Sequence, residues 1–112
     1  MEAFDLSQLI DAHSQAGQLY HEFIRSDHLS AGLYCLAAGA ADPQQPHSED
    51  EIYYVIKGAA TIRVGDEDRP VREGATIFVA KEVEHRFHSI TEDLVILVIF
   101  APPRRSLADA IR

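Results

Sequence analysis

Residues 45–58, from Gln45 to Gly58, read QPHSEDEIYYVIKG. The first part is polar and acidic with a single imidazole. The second part, Glu51 to Ile56, is an apolar run of the β-branched and aromatic type that makes strands. His47 and Glu51 therefore sit where a polar loop turns into a buried strand. Side chains alternate along a strand, so an inward Glu51 carries Tyr53 and Val55 inward with it. That arrangement puts a carboxylate at the mouth of an apolar lumen, with an imidazole placed to face the same interior point.

Outward from this stretch, the chain alternates short apolar runs with Gly, Pro and Asp, the pattern of an all-β sandwich or barrel. Strands are expected near Leu19–Arg25, Ser30–Ala37, Glu51–Ile56, Ala60–Val64, Val71–Arg72, Thr76–Ala80, His85–Ile90 and Leu94–Phe100. Turns are expected at Lys57-Gly58, Gly65 to Asp68, Glu73-Gly74 and Thr91 to Asp93. Ala38 to Asp50 lacks strand periodicity and reads as a long irregular loop, a common seat of function in a compact domain. Ahead of the strands, Leu6, Leu9 and Ile10 recur at helical spacing, with Asp5 or Ser7 as cap and an end near Gly17. Pro102-Pro103 stops the last strand, after which Ser106 is placed to cap a short helix from Leu107 to Ile111.

Its 112 residues suit one domain, 1–112. Hydrophobic residues form 46% and charged residues 25%, the balance of a chain that folds. A net charge of −8 has the wrong sign for binding a phosphate backbone, so nucleic acid is not an expected partner. Cys35 is the only cysteine, which excludes an intrachain disulfide and makes the reducing cytoplasm the expected location. Cys35 shares parity with Leu33 and Ala37 and reads as an inert core thiol. No stretch approaches the roughly 18 apolar residues of a membrane span, and the N-terminus lacks a basic, then apolar, leader.

Two stretches resemble the motifs of the small single-domain cupins. The first motif of that family is Gly, five residues, His-X-His, three or four residues, Glu, six residues, Gly. Here Gly39, Gln45-Pro46-His47, Glu51 and Gly58 reproduce the spacing, with Gln45 in place of the first histidine. The second motif is matched by GATIFVAKEVEHRFHS, Gly74 to Ser89: Gly74 and His85 fall in register, while Ala80, Glu82 and Ser89 replace the usual Pro, Gly and Asn. The resemblance implies a jelly-roll β-barrel or sandwich with His47, Glu51 and His85 as ligands of a divalent metal. Gln45 would be a fourth ligand or position a water.

Pro46 biases Gln45 toward extended geometry, so Gln45 and His47, two apart, can share a face and converge with Glu51 and His85. Two imidazoles, a carboxylate and an amide oxygen suit a divalent cation with open positions, whether Fe(II), Mn, Ni, Co or Zn. By the same resemblance the chain is a metal-dependent enzyme acting on a small organic molecule, with a quercetinase-like dioxygenase as the subclass to test first. Tyr53, of the same parity as Glu51, is the candidate to orient substrate or donate a proton. Two other readings stand beside it: a noncatalytic cupin that binds or senses a small ligand, and a metal-free sugar isomerase or epimerase-like cupin using His and Tyr as acid and base.

The bland alternative for His47 and Glu51 is a solvated acidic loop shared with Glu49 and Asp50. His88 lies on the strand face opposite His85 and is a reserve ligand. The run LVILVIF, Leu94 to Phe100, exceeds simple alternation and calls for cover on both faces, from a second sheet and the N-terminal helix or from a second chain. A homodimer is the expected assembly.

Overall fold

The computed structural model describes residues 1–105. The expected helix from Leu107 to Ile111, with Ser106 as its cap, lies outside the described residues. The order of elements is α1 (Leu6–Ala16), β1 (Tyr20–Arg25), β2 (Ser30–Leu36), β3 (Asp50–Val64), β4 (Glu67–Arg72), β5 (Thr76–Val79) and β6 (His85–Ala101).

Helix α1 begins after Asp5, whose backbone N–H donates to Gln8 Oε1 at 3.0 Å, and ends at Gly17 in the left-handed region, φ 68°. No helix among the described residues is long and apolar enough to cross a membrane.

All strand pairings are antiparallel, in the order β1-β2-β6-β3-β4 with β5 added to β3. Two long strands organise this sheet. The first part of β3 is flanked by β5 and the end of β6, with Glu51 opposite both Val79 and Phe100. Its last part is flanked by β4 and the start of β6, with Ile62 opposite both Arg69 and Phe87. Register slips between Val55 and Thr61 separate the two parts. Such bulges bend a strand and raise its twist, which rolls the sheet onto itself and encloses an interior. The result is the all-β architecture that the strand pattern implied, in the jelly-roll form that the cupin resemblance implied.

Two expected turns are not formed. Lys57-Gly58 and Thr91 to Asp93 lie inside β3 and β6 rather than between shorter strands. Gly58 marks the bend instead. Its φ is +103°, and a Cβ there would sit 2.3 Å from the Asp93 carbonyl oxygen, so only glycine lets the two bent strands approach this closely. Gly65-Asp66 and Glu73-Gly74 do form turns, and residues 40–47 have no regular structure.

The core runs through the lumen of this rolled sheet: Tyr53, Val55, Ile62, Phe87, Ile96 and Phe100 are all buried. Of the LVILVIF run, Leu94, Val95, Ile96, Val98 and Phe100 are buried, while Leu97 and Ile99 keep partial exposure on the outer face.

Candidate metal centre

Three elements converge at one end of the lumen. Glu51 enters from the start of β3, His85 from the first residue of β6, and His47 from the loop before β3. The loop is held to the β5–β6 connection at two points: Glu82 N–H donates to the His47 carbonyl at 2.6 Å, and Lys81 N–H donates to Asp50 Oδ1 at 2.9 Å. The alternation expected from Glu51 and His85 is present. Glu51, Tyr53 and Val55 are buried together, as are His85 and Phe87.

One ligand-type atom from each of His47, Glu51 and His85 lies within 4.8 Å of the others. Donors bound to one first-row cation at about 2.0–2.2 Å lie about 3–3.6 Å apart in tetrahedral or cis positions, so modest side-chain adjustment closes this cluster around an ion. The imidazole rings of His47 and His85 face each other with centroids 5.5 Å apart. His85 Nδ1 donates to the Val83 carbonyl at 2.9 Å, which in the neutral ring leaves Nε2 as the lone-pair nitrogen aimed inward. That is the tautomer a metal ligand needs.

The Glu51 carboxylate provides a test of fit. Its Oε1 lies 2.7 Å from His85 Nε2, an ion pair when that ring is protonated, and with the ring neutral neither Glu51 oxygen has a hydrogen-bond donor. A buried carboxylate without partners costs about 1–3 kcal/mol or more, and such a group calls for a bound ion or water. A cation among His47, Glu51 and His85 removes that cost. The residues present therefore fit a divalent metal.

Titration follows the same electrostatics. Burial lowers the His47 pKa; Glu51 opposes the shift, while His85 and Arg104 add to it. Burial also pulls His85 down, but the contact with Glu51 and the bond to Val83 outweigh it and leave the pKa raised. Tyr53 is held well above the usual phenol range, by burial first and by the Glu51 charge second.

The amide that reaches this cluster is Gln44, not Gln45. Gln45 is exposed, whereas Gln44 Oε1 accepts the Tyr53 hydroxyl at 2.8 Å and lies 3.2 Å from His85 Nε2. The loop is irregular here rather than extended, so the two-residue parity linking Gln45 to His47 does not apply. Asp42 fixes the outcome. Its carboxylate accepts Gln44 Nε2 at 2.7 Å, Gln44 N–H at 3.2 Å, Phe87 N–H at 2.9 Å and the Tyr34 hydroxyl. The bond from Gln44 N–H to the side chain two residues earlier is an Asx turn, so Asp42-Pro43 was the one available sequence signal for this placement. His88 is directed away from the cluster, with Nε2 2.8 Å from Asp68 Oδ1. The Cys35 thiol is half-buried, and burial raises its pKa, in line with an unreactive thiol.

A cavity of about 620 Å³ opens beside the cluster, lined by Tyr20, Tyr34, Gln44, His47, Tyr53 and Phe100 among others. It has the size of a small-molecule site. A smaller cavity of about 320 Å³ reaches His85 from the other side of Gln44.

Comparison with known proteins agrees with this geometry. Residues 32–100 match the family model described as a cupin domain. An uncharacterised protein of Streptomyces coelicolor is 44% identical over 103 residues, covering 92% of this chain and 98% of that one. The crystal structure of a Thermus thermophilus protein is similar at a TM-score of 0.70 and 25% identity, over 92% of this chain and 99% of that one. An RmlC-like cupin of Methanocaldococcus jannaschii, described as a double-stranded β-helix, gives a TM-score of 0.67 at 21% identity over 74% and 78% of the two chains. With its jelly roll, the two motif stretches in the lumen and a family match over most of its length, the chain belongs to the cupins.

Proposed function

We propose that this cupin is a metal-dependent enzyme acting on a small organic molecule, with His47, Glu51 and His85 as ligands of a divalent cation. The observation that carries the reading is the buried Glu51 carboxylate, without hydrogen-bond donors and within 4.8 Å of inward nitrogens of His47 and His85. A bound divalent ion supplies Lewis-acid polarisation, or a site where dioxygen and substrate meet if the metal is redox-active.

The chain's own side chains do the rest. Gln44 Oε1, aimed by Asp42, stands beside the ligands as a neutral donor to the ion or to a water on it. Tyr53 stays protonated at neutral pH because burial and the Glu51 charge both oppose its ionisation, so its hydroxyl acts as a hydrogen-bond donor that orients a ligand rather than as a base. The apolar walls, Val98 and Phe100 among them, exclude water and strengthen each polar contact made inside.

Purified protein loaded separately with Fe(II), Mn, Ni, Co and Zn tests this reading by metal analysis. One equivalent bound in wild type, and none in a Glu51→Gln, His85→Ala double variant, is expected. Oxygen consumption with a panel of phenols and thiols then tests the dioxygenase subclass, and binding without turnover would favour a ligand sensor. A metal-free acid–base reading, as in a sugar isomerase or epimerase-like cupin, has one observation in its favour: the 2.7 Å approach of His85 Nε2 to Glu51 Oε1. Turnover that persists after metal is stripped would select it.

The reading extends to assembly. Ile52, Tyr54 and Phe78 form an exposed apolar group on the outer face of β3 and β5, with Ile52 directly opposite Phe78, and this face suits a homodimer.

A further inference from the structure

The last described residues place an arginine at the mouth of the cavity with more care than a surface cation needs. The backbone N–H of Arg104 donates to Ser30 Oγ at 2.8 Å, and its carbonyl accepts Arg25 Nη1 at 2.8 Å. Ser30 is fully buried, so the first of these bonds anchors the segment to the core. Held in this way, the Arg104 guanidinium lies over the Tyr20 ring, 4.8 Å from its centroid, and 5.9 Å from the centroid of Phe100. The Tyr20 ring itself needs Gly32: a Cβ at that position would sit 2.2 Å from Tyr20 Cζ. Stacking on aromatic faces fixes the guanidinium plane while leaving its N–H edge free to bond, and among the described residues no carboxylate pairs with it.

Phe100 links this arginine to the metal centre. The His47 ring packs edge-on against Phe100 with centroids 5.2 Å apart. Arg104 and His47 therefore flank one phenylalanine inside one cavity, a separation that a small organic molecule spans. Arg105, Glu49 and Glu82 also line this cavity, so its two cations and two acids offset each other. A divalent ion then offsets the nearby Glu51 and Asp42 charges, so an anion meets no net negative field there.

We propose that the cavity takes a small organic acid, its carboxylate held in the fork of the Arg104 guanidinium and the rest of the molecule running along Phe100 to the His47, Glu51, His85 centre. The proposal rests on the metal-centre reading for the far end of the ligand, but not for the carboxylate site. Arg104 is then a specificity-determining residue, since a bidentate guanidinium–carboxylate pair is among the stronger hydrogen-bonded contacts.

The test is calorimetric titration of zinc-loaded protein with matched acids and amides: benzoate and benzamide, 3,4-dihydroxybenzoate and its amide, succinate and succinamide. In at least one pair the acid is expected to bind about ten-fold or more tightly than the amide. Arg104→Gln should bring that acid to the amide's level with amide and zinc affinities unchanged, and Arg104→Lys should keep part of the preference. Equal affinity for acid and amide in every pair, or an acid preference that survives Arg104→Gln, overturns the proposal. The same titrations on chelator-treated protein separate the two readings. If wild type binds no zinc but the Arg104-dependent preference remains, the metal centre fails and the acid site stands.

Discussion

Along the start of β3 the two faces are filled against simple hydropathy. Glu51, Tyr53 and Val55 on the inner face are 2%, 0% and 0% exposed, while Ile52 and Tyr54 on the outer face are 41% and 43% exposed. A carboxylate is inside and an isoleucine outside. The period of two leaves no local freedom: once Tyr53 and Val55 face the lumen, Glu51 must follow. The inner face thus carries a buried charge that a bound cation would offset. The outer face carries apolar area that a second chain would cover. We read the first as a site for chemistry and the second as a surface for association, and each reading can be broken separately.

Removing the inner charge should have the largest effect. Glu51→Gln is expected to weaken metal binding by at least about a hundred-fold. In thermal melts, wild type should gain about 2.7 kcal/mol at a metal concentration of 100 times Kd, and Glu51→Gln should gain almost nothing at the same concentration. Equal gains would show that Glu51 is not a ligand.

The pH dependence should change form with metal. In metal-free protein, His47 has a lowered pKa, so its contribution to stability grows as pH rises toward the ordinary 6.5 and is lost as pH falls. His85 has a raised pKa, so its contribution is present below 6.5 and is lost as pH rises through the folded value. Together they give a stability maximum near pH 6.5. With metal the falling limb should vanish, because affinity improves as both imidazoles shed protons, by about ten-fold per pH unit for each imidazole being deprotonated. Melts across pH 5 to 8 with chelator and with zinc check this; a falling limb that persists in zinc would count against imidazole ligation.

Adjacent glutamines sharpen the comparison further. Gln44→Ala should weaken metal binding roughly ten-fold, since it removes the oxygen beside His85 and the partner of Tyr53. Gln45→Ala, an exposed position, should change it by less than about two-fold. The reverse order would place the amide where motif spacing alone put it.

The outer face should give the smallest effect on the folded unit. Ile52→Lys combined with Phe78→Lys is expected to leave the unfolding free energy of a single chain within about 0.5 kcal/mol per site. The same variant should shift the mass measured by sedimentation from dimer to monomer. An unchanged mass would remove this face from the interface.

Much of the fold was legible because it depends on local rules. The helix boundaries followed from Asp5 and Gly17 and the parity of Glu51, Tyr53 and Val55 from alternation, whereas the grouping of His47, Glu51 and His85 came from the resemblance to the cupin motifs. What was misread lies where local signals are ambiguous. Lys57-Gly58 and Thr91 to Asp93 carry turn chemistry, but in β3 and β6 it serves bends within continuous strands, because each strand pairs on both sides of the bend. Glycine at positive φ is common to a turn and a bulge, and only the neighbouring strand distinguishes them. Gln44 was missed because the loop was read as extended, whereas Asp42 wraps it into an Asx turn and exchanges one glutamine for its neighbour.

Sequence alone determined which residue types are available for chemistry and which share a strand face, since both follow from side-chain identity and a period of two. Tertiary structure decided which of them meet. The loop bearing His47 and Gln44 is fixed to β6 and the turn before it by the bonds from Phe87 N–H to Asp42 and from Glu82 N–H to His47, and Arg104 is held at the cavity by Ser30 and Arg25. Those contacts join residues distant along the chain, so no local pattern encodes them.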